Sequence, residues 1–281
     1  MKTWKKIVLG VSLISLFLGG GLVAWGYSQG GLTDLQNKTI SEQDYVKKEV
    51  KDFNKIDIKS SSYNVLIKNG EVDKATLSYY QKTKNPIDTS VKDGQLTIND
   101  NNSELDSTSN KHINFFGLKD LVRLSTLNEE VRNKTIVITL PKKQTIDFLK
   151  VDLATGNLDL SNSTIKQADI NLNVGDLTFT KMIVSNLKAN LDVGSVDSDH
   201  TLFTNSDLSI AMGDYSGDNL IFNGHNKLDV TSGDIEIVLK DYTLNVQADS
   251  HSGEVDITNN LKISKDNTLT ITSDLGDITV E

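Results

Sequence analysis

The sequence has no cysteine among its 281 residues. This excludes both a disulfide framework and a cysteine-ligated metal site, so packing and backbone pairing alone must hold the fold. Proline is also scarce, with 2 residues, whereas Asn, Asp, Thr, Ser, Ile, Leu and Val are abundant. This composition favours many short strands joined by tight polar turns rather than a helical protein.

Basic residues are in deficit over most of the chain. Residues 1–31 carry three lysines and no acid, whereas the remainder holds 26 basic and 38 acidic residues, a net charge of −12. The whole chain has two arginines, Arg123 and Arg132. A nucleic-acid-binding protein needs a basic stripe to displace the counterions of the phosphates. No such stripe exists, which excludes nucleic acid as a partner.

Residues 7–26 are an uncharged, predominantly apolar run. At about 1.5 Å per helical residue, such a run spans the roughly 30 Å hydrocarbon core of a membrane. The lysines precede it, so the positive-inside rule places the N-terminus in the cytoplasm. Residues 1–27 are therefore predicted to be a cytoplasmic tip and a single-pass cell-membrane anchor, with the C-terminal domain extracellular. A signal peptide cleaved after Ala24 or Ser28 is the alternative.

Residues 28–52 have mixed charge and open with Gly-Gly after Ser28 and Gln29. They are predicted to form a polar stalk that lifts the following domain off the membrane, with a short helix over 41–51.

A repeat dominates the sequence from residue 149 onward. Glycines that are followed by a polar and then an apolar residue recur at intervals of 19, 19, 19, 20, 20 and 23 residues. These corner glycines are Gly156, Gly175, Gly194, Gly213, Gly233, Gly253 and Gly276. The residue two positions after each glycine is always apolar, and so is the residue five positions before it.

Apolar and polar residues alternate within each repeat, which is typical of strands with one buried face. Glycine suits a corner where the backbone is crowded or left-handed. One repeat of about 20 residues is too short to bury its own apolar face, so successive repeats must stack about 4.8 Å apart and share a core. The sequence therefore predicts an all-β, single-stack β-solenoid over 53–281, in which each repeat forms one rung.

The same pattern extends upstream in a degenerate form. Aligning Tyr63 with the corner glycines puts Ile58 five positions before it and Val65 two positions after it. This predicts a first rung that has lost its glycine. Residues 74–99 are predicted to form hairpin strands with a turn at 92–94, and residues 135–141 another strand.

The stretch 100–133 interrupts the repeat and is predicted to be a small, partly helical insertion. Its apolar residues Phe115, Phe116 and Leu118 suggest two roles. The segment either caps an open end or side of the solenoid or contacts a partner or the membrane.

The opening residues 53–58, a strand ending in Leu140 and Pro141, and the ladder of Gly-Asp-apolar rungs together resemble a bacterial putative-adhesin family of unknown function. This family includes the LiaG-like proteins of the Gram-positive Lia cell-envelope stress system. The resemblance covers about residues 50–281 and implies an envelope-associated β-solenoid without assigned catalytic residues. The chain departs from the family pattern at Tyr63, where the first rung usually has glycine, and in the insertion.

The position after the corner glycine is acidic in several rungs, which makes Asp214, Asp234 and Glu254 candidate metal ligands. Stacked carboxylates attract a cation such as Ca²⁺. The structural alternative is that these side chains bond backbone N–H groups in tight turns. The nonapeptide pattern of calcium-binding rolls is absent, so no cofactor is expected and Ca²⁺ is a minor alternative.

Motifs for catalysis are lacking: the chain has no H-E-x-x-H, G-x-S-x-G, P-loop or dinucleotide-binding pattern. The predicted function is therefore a non-enzymatic envelope scaffold or adhesin that binds an envelope protein, a wall polymer or a cationic peptide. An accessory regulator of a cell-envelope stress response is the first alternative. A carbohydrate-active β-helical enzyme is the second.

Overall fold

The computed structural model describes residues 43–82, 86–100 and 134–281. The predicted anchor over 1–27, most of the stalk and all but the first residue of the insertion 100–133 lie outside these ranges. Within them, the chain contains no helix with the length and apolar character needed to cross a membrane. The described residues fall almost entirely in one compact unit, Asp44–Glu281.

The described part of the chain is all-β, as predicted. Seven strands precede the regular repeat: β1 (Gln43–Glu49), β2 (Lys55–Ser60), β3 (Asn64–Gly70), β4 (Thr76–Lys82), β5 (Asp88–Lys92), β6 (Gln95–Asn99) and β7 (Thr135–Pro141). Eighteen strands form the repeat: β8 (Thr145–Ile146), β9 (Phe148–Thr155), β10 (Leu158–Ser161), β11 (Thr164–Ile165), β12 (Ala168–Val174), β13 (Leu177–Thr180), β14 (Ile183–Ser185), β15 (Leu187–Val193), β16 (Val196–Asp199), β17 (Leu202–Thr204), β18 (Asp207–Met212), β19 (Tyr215–Asn223), β20 (His225–Ser232), β21 (Ile235–Leu239), β22 (Asn245–Ser252), β23 (Val255–Ile257), β24 (Thr268–Leu275) and β25 (Ile278–Val280).

These strands form three faces around a shared core. The first face consists of the strands before the corner glycines, in the order β22-β24-β20-β18-β15-β12-β9-β2-β6-β5. The second face follows the glycines, in the order β1-β4-β7-β3-β10-β13-β16-β19-β21-β25-β23. The short third face, β8-β11-β14-β17-β19, closes each rung. Within the repeat all pairings are parallel, as a solenoid requires.

The register confirms the predicted apolar columns. Leu158 pairs with Leu177, Leu177 with Val196 and Val196 with Tyr215. All four side chains are buried, because each rung covers the apolar positions of the next. The columns read from the sequence are therefore the core of the solenoid.

The degenerate first rung is confirmed at the predicted alignment. Ile58 pairs with Val151 on the first face, and Val65 pairs with Leu158 on the second. The predicted turn at 92–94 is also confirmed. It joins the antiparallel strands β5 and β6, and its residues Asp93 and Gly94 have φ angles of 50° and 73°.

The helix predicted over 41–51 is wrong where the structure describes these residues, since Gln43–Glu49 is strand β1. This strand lies beside β4 at the edge of the second face. Val46 packs against the core, and the ring of Tyr45 lies 4.9 Å from that of Tyr80. Pairing with an open sheet edge overrides the weak helical preference of a short polar segment.

The rungs do not stack in sequence order at the C-terminal end. Strands β24 and β25, the last in the chain, insert between the rung of Gly233 and the rung of Gly253. The inserted rung buries Leu269 and Ile271 fully, whereas Val255 of the outermost rung is 41% exposed. The more apolar rung therefore occupies the covered position. The outermost rung has the smaller Val246 and Ala248 where the inserted rung has Leu269 and Ile271, so it forms the less apolar end of the stack.

Candidate functional site

The corner glycines form a continuous column along the solenoid. At Gly194, φ is 146°, a conformation that L-residues rarely adopt, and a Cβ atom would lie 2.0 Å from the carbonyl oxygen of Gly175. The corresponding distance at Gly213 is 2.1 Å. Glycine is therefore required by the close approach of successive rungs, and its role is architectural.

In every rung of the repeat except the outermost, the residue after the corner glycine accepts a hydrogen bond from the next rung. The backbone N–H of Asp234 donates to Asp214 Oδ1 at 2.9 Å, that of Asp277 to Asp234 Oδ1 at 2.9 Å, and that of Glu254 to Asp277 Oδ1 at 2.8 Å. We call this row the ladder column. As in the turn-capping alternative drawn from the sequence, these side chains accept from backbone N–H groups, but the N–H groups belong to the neighbouring rung rather than to the same turn.

Neutral side chains perform the same task in other rungs. Asn157 Oδ1 accepts from the N–H of Asp176 at 3.0 Å, and Ser195 Oγ accepts from the N–H of Asp214 at 3.3 Å. The ladder therefore requires an acceptor at this position but does not require a negative charge. Four consecutive rungs, those of Asp214, Asp234, Asp277 and Glu254, nevertheless carry an acid there.

The three metal candidates Asp214, Asp234 and Glu254 all lie in the ladder column, but Asp277 separates Asp234 from Glu254. Asp214 and Asp234 each accept a hydrogen bond from a backbone N–H with one carboxylate oxygen. Metal binding by this column remains a prediction.

One group in the described part of the chain brings three potential metal-ligand atoms within 4.8 Å of one another. It consists of Asp199, His200 and Asp218, at the far end of the second-face strands. His200 Nδ1 already lies 2.6 Å from Asp199 Oδ1.

The outward positions of the second face are uniformly acidic or neutral in the rungs of the repeat. A second outward column lies two residues beyond the ladder column, and Asp197, Ser216 and Glu236 pair along it. We define the acidic face as the ladder column, this second column and the next outward position. Its acids are Asp159, Asp176, Asp197, Asp199, Asp214, Asp218, Asp234, Glu236, Glu254, Asp256, Asp277 and Glu281.

The acidic face has no lysine or arginine in these columns of β10, β13, β16, β19, β21, β25 and β23. The first face is different, because it carries lysines as well as acids. There Lys150 lies 3.5 Å from Asp152, and Lys227 forms an ion pair with Asp229. The negative charge of the domain is therefore concentrated on one side.

Exposed apolar side chains border the acidic face. The residues immediately before the corner glycines are in register across the rungs, and Val193, Met212 and Leu275 are 37%, 59% and 55% exposed. We call this row the corner stripe; it also contains the less exposed Val174, and Leu275 lies in it between Ser232 and Ser252. The period-two pattern of the strands predicts inward-facing residues here, so no pattern in the sequence indicates that the stripe is exposed. Its exposure follows from the change of chain direction at the glycine.

Two buried polar side chains lie in the second column of the acidic face. Asp159 and Thr178 are register partners and are 3% and 5% exposed, although they alternate with the core residues Leu158 and Leu160. Asp159 Oδ2 and Thr178 Oγ1 form no hydrogen bond within the described structure. Burial, with the neighbouring charge of Asp176, raises the pKa of Asp159 to about 8.

The predicted partner-contact residues Phe115, Phe116 and Leu118 lie outside the described residues. The regulatory alternative depends on that segment, so it remains a prediction from the sequence.

Comparisons with known proteins agree with this architecture. The family model Toastrack DUF4097 matches residues 53–281. None of the curated proteins matches the chain.

Several solved structures are similar over most of their length. A putative cell adhesion protein from Clostridium sporogenes has 16% identity and a TM-score of 0.32, over 85% of this chain and 99% of its own. A putative adhesin from Bacteroides fragilis has 16% identity and a TM-score of 0.35, over 85% and 97%. A putative lipid binding protein from Parabacteroides distasonis has 10% identity and a TM-score of 0.36, over 86% and 98%. TM-scores this low support no conclusion about the function of this chain.

The family match covers most of the chain and coincides with the solenoid and its degenerate first rung. The chain therefore belongs to the Toastrack DUF4097 family.

Proposed function

We propose that this chain is a non-enzymatic scaffold of the bacterial cell envelope that binds cationic partners through its acidic face. In this proposal the segment 1–27 is a single-pass anchor with a cytoplasmic N-terminus, and the solenoid lies outside the cell membrane. Membership of the LiaG-like group of Gram-positive bacteria is part of the same proposal.

The observation that carries the proposal is the separation of charge between the faces. On the first face, ion pairs such as Lys150–Asp152 neutralise acids locally. On the acidic face, Asp214, Asp234 and Glu254 are exposed and form no ion pair with any described lysine. Concentrated exposed charge of one sign steers and selects partners of the opposite sign.

Among the predicted partners, this favours cationic peptides and basic segments of envelope proteins. An anionic wall polymer would be repelled by the same face unless divalent cations bridged the two. An extended flat face that is built from many rungs also suits an elongated ligand.

The location is tested by external proteolysis of cells that produce the full chain with a C-terminal epitope. We expect protease added to intact protoplasts to remove the epitope while a cytoplasmic marker protein survives. Survival of the epitope until the membrane is permeabilised would contradict the proposed topology.

The binding role is tested by retaining cationic and anionic peptides of equal length on the immobilised full chain. We expect selective retention of the cationic peptides at low salt and their release at about 0.5 M salt, where charges are screened beyond a few Å. Equal retention of both peptides, or of neither, would refute the proposed partner class.

A further inference from the structure

The acidic face and the corner stripe together point to a more specific ligand. We propose that they bind a cationic amphipathic helix, which lies along the stacking axis with basic side chains on the ladder column and apolar side chains on the corner stripe. This inference rests on the proposed function and adds the position, the orientation and the conformation of the partner.

The charge on the acidic face is not explained by the fold. Asn157 and Ser195 show that neutral side chains support the ladder hydrogen bonds. In the second column, Glu236 and Asp256 are exposed and accept no hydrogen bond in the described structure that would explain an acid there. Exposed like charges in adjacent rungs repel one another, so they lower stability unless a ligand offsets them.

The corner stripe is a second, independent feature that indicates a ligand. Met212 and Leu275 are more than half exposed, and they lie two residues before Asp214 and Asp277. A basic ligand without apolar side chains would leave Met212 and Leu275 exposed to water. A ligand with one basic and one apolar side satisfies both rows at the same time.

The spacing of the rungs favours a helix over an extended peptide. Successive rungs lie about 4.8 Å apart, and one turn of an α-helix rises about 5.4 Å. In an extended strand, side chains on one side recur only about every 6.8 Å. The six rungs from Gly175 to Gly253 measure about 24 Å, which corresponds to a helix of about 16 residues.

The test uses the full chain in a nonionic detergent and a fluorescent 16-residue peptide of Lys and Leu. In the amphipathic peptide, lysines recur at i, i+4 and i+7, whereas a scrambled peptide of the same composition has no apolar side. Fluorescence anisotropy measures the affinity, and detergent alone provides the background. We expect the amphipathic peptide to bind at least tenfold more tightly than the scrambled one.

Two variants locate the site. The triple variant Asp214→Asn, Asp234→Asn and Asp277→Asn removes charge but keeps the ladder acceptors, as Asn157 does. We expect it to weaken binding about tenfold at low salt. The double variant Met212→Ser and Leu275→Ser is expected to weaken binding about fivefold or more.

The matched control is the triple variant Asp169→Asn, Asp207→Asn and Asp249→Asn, which removes three charges from the first face. We expect less than a twofold effect, with thermal melting showing that all variants fold. An equal loss in this control would refute the assignment to the acidic face.

The two levels of the proposal fail in different ways. If the scrambled peptide binds as well as the amphipathic one and both respond to the acidic-face triple variant, the helix is refuted and the cationic partner stands. If neither peptide binds at low salt, both the helix and the cationic partner class are refuted.

Discussion

Replacing Gly194 with alanine tests the reasoning that the corner glycines are fixed by the contact between rungs. The backbone at this position has φ of 146°, and the added Cβ atom would lie 2.0 Å from the carbonyl oxygen of Gly175. That oxygen belongs to the backbone of the preceding rung, so no side-chain movement relieves the clash.

The expected loss has two parts. An alanine in this glycine-only conformation costs about 1–3 kcal/mol. Moving the rungs apart weakens the flanking hydrogen bonds from Gly194 N to the Met212 oxygen and from Gly175 N to the Val193 oxygen, both 2.9 Å, at about 1 kcal/mol each. We therefore expect the free energy of unfolding to fall by about 4 kcal/mol in Gly194→Ala.

The control is Gly94→Ala, in the turn between β5 and β6. Gly94 also has positive φ, at 73°, but the nearest atom to its added Cβ is the side-chain oxygen Asn54 Oδ1 at 3.3 Å. We expect a loss of about 1 kcal/mol here. Urea unfolding of the full chain, followed by circular dichroism, measures both variants. A loss at Gly194 no larger than at Gly94 would refute the rung-contact argument.

The raised pKa of Asp159 means that the folded chain holds a proton that the unfolded chain releases above pH 3.8. Stability from this group is therefore lost as pH rises from about 4 to about 8, at up to about 1.4 kcal/mol per pH unit. In urea unfolding, the free energy of unfolding of Asp159→Asn should rise relative to that of the wild type across that pH range. A difference that does not change with pH would contradict the burial of the charge. Leu269→Ala, in the inserted rung, should lower the free energy of unfolding by about 3 kcal/mol. Val246 is the register partner of Leu269 in the outermost rung, and Val246→Ala should lower it by less than about 1 kcal/mol. Equal losses would mean that the rung order is wrong. Thermal melting should show no shift with millimolar Ca²⁺, because Asp214 and Asp234 each commit an oxygen to the ladder, whereas a clear rise in midpoint would establish a cation site.

The repeat period is the part of the fold that the sequence reveals most fully. The alignment of Ile58, Tyr63 and Val65 with the corner columns is reproduced in the strand register. Glycine spacing and apolar alternation are local properties, and parallel stacking forces equal positions of successive rungs into one column. The period therefore determines the register.

The candidate site was less accessible from the sequence. The sequence shows the acids that follow the corner glycines, but the sequence alone does not distinguish a hydrogen-bond acceptor that the ladder needs from a negative charge that it does not need. That distinction came from Asn157 and Ser195 occupying the same ladder as Asp214. The corner stripe was also missed, because Val193 and Met212 have the spacing of core residues and become exposed where the chain turns.

The sequence by itself determined the all-β rungs, their length and the residues that face the core, because these depend on patterns within about 20 residues. Only the tertiary structure decided that the last rung in the chain lies inside the stack and that the acids of one face lie apart from the lysines. The reason is physical: rung order depends on which apolar surface gains most from being covered, as Ile271 does over Ala248. Which of two rungs gains more from burial depends on both rungs and on the rung they would cover, so no local sequence pattern reveals it.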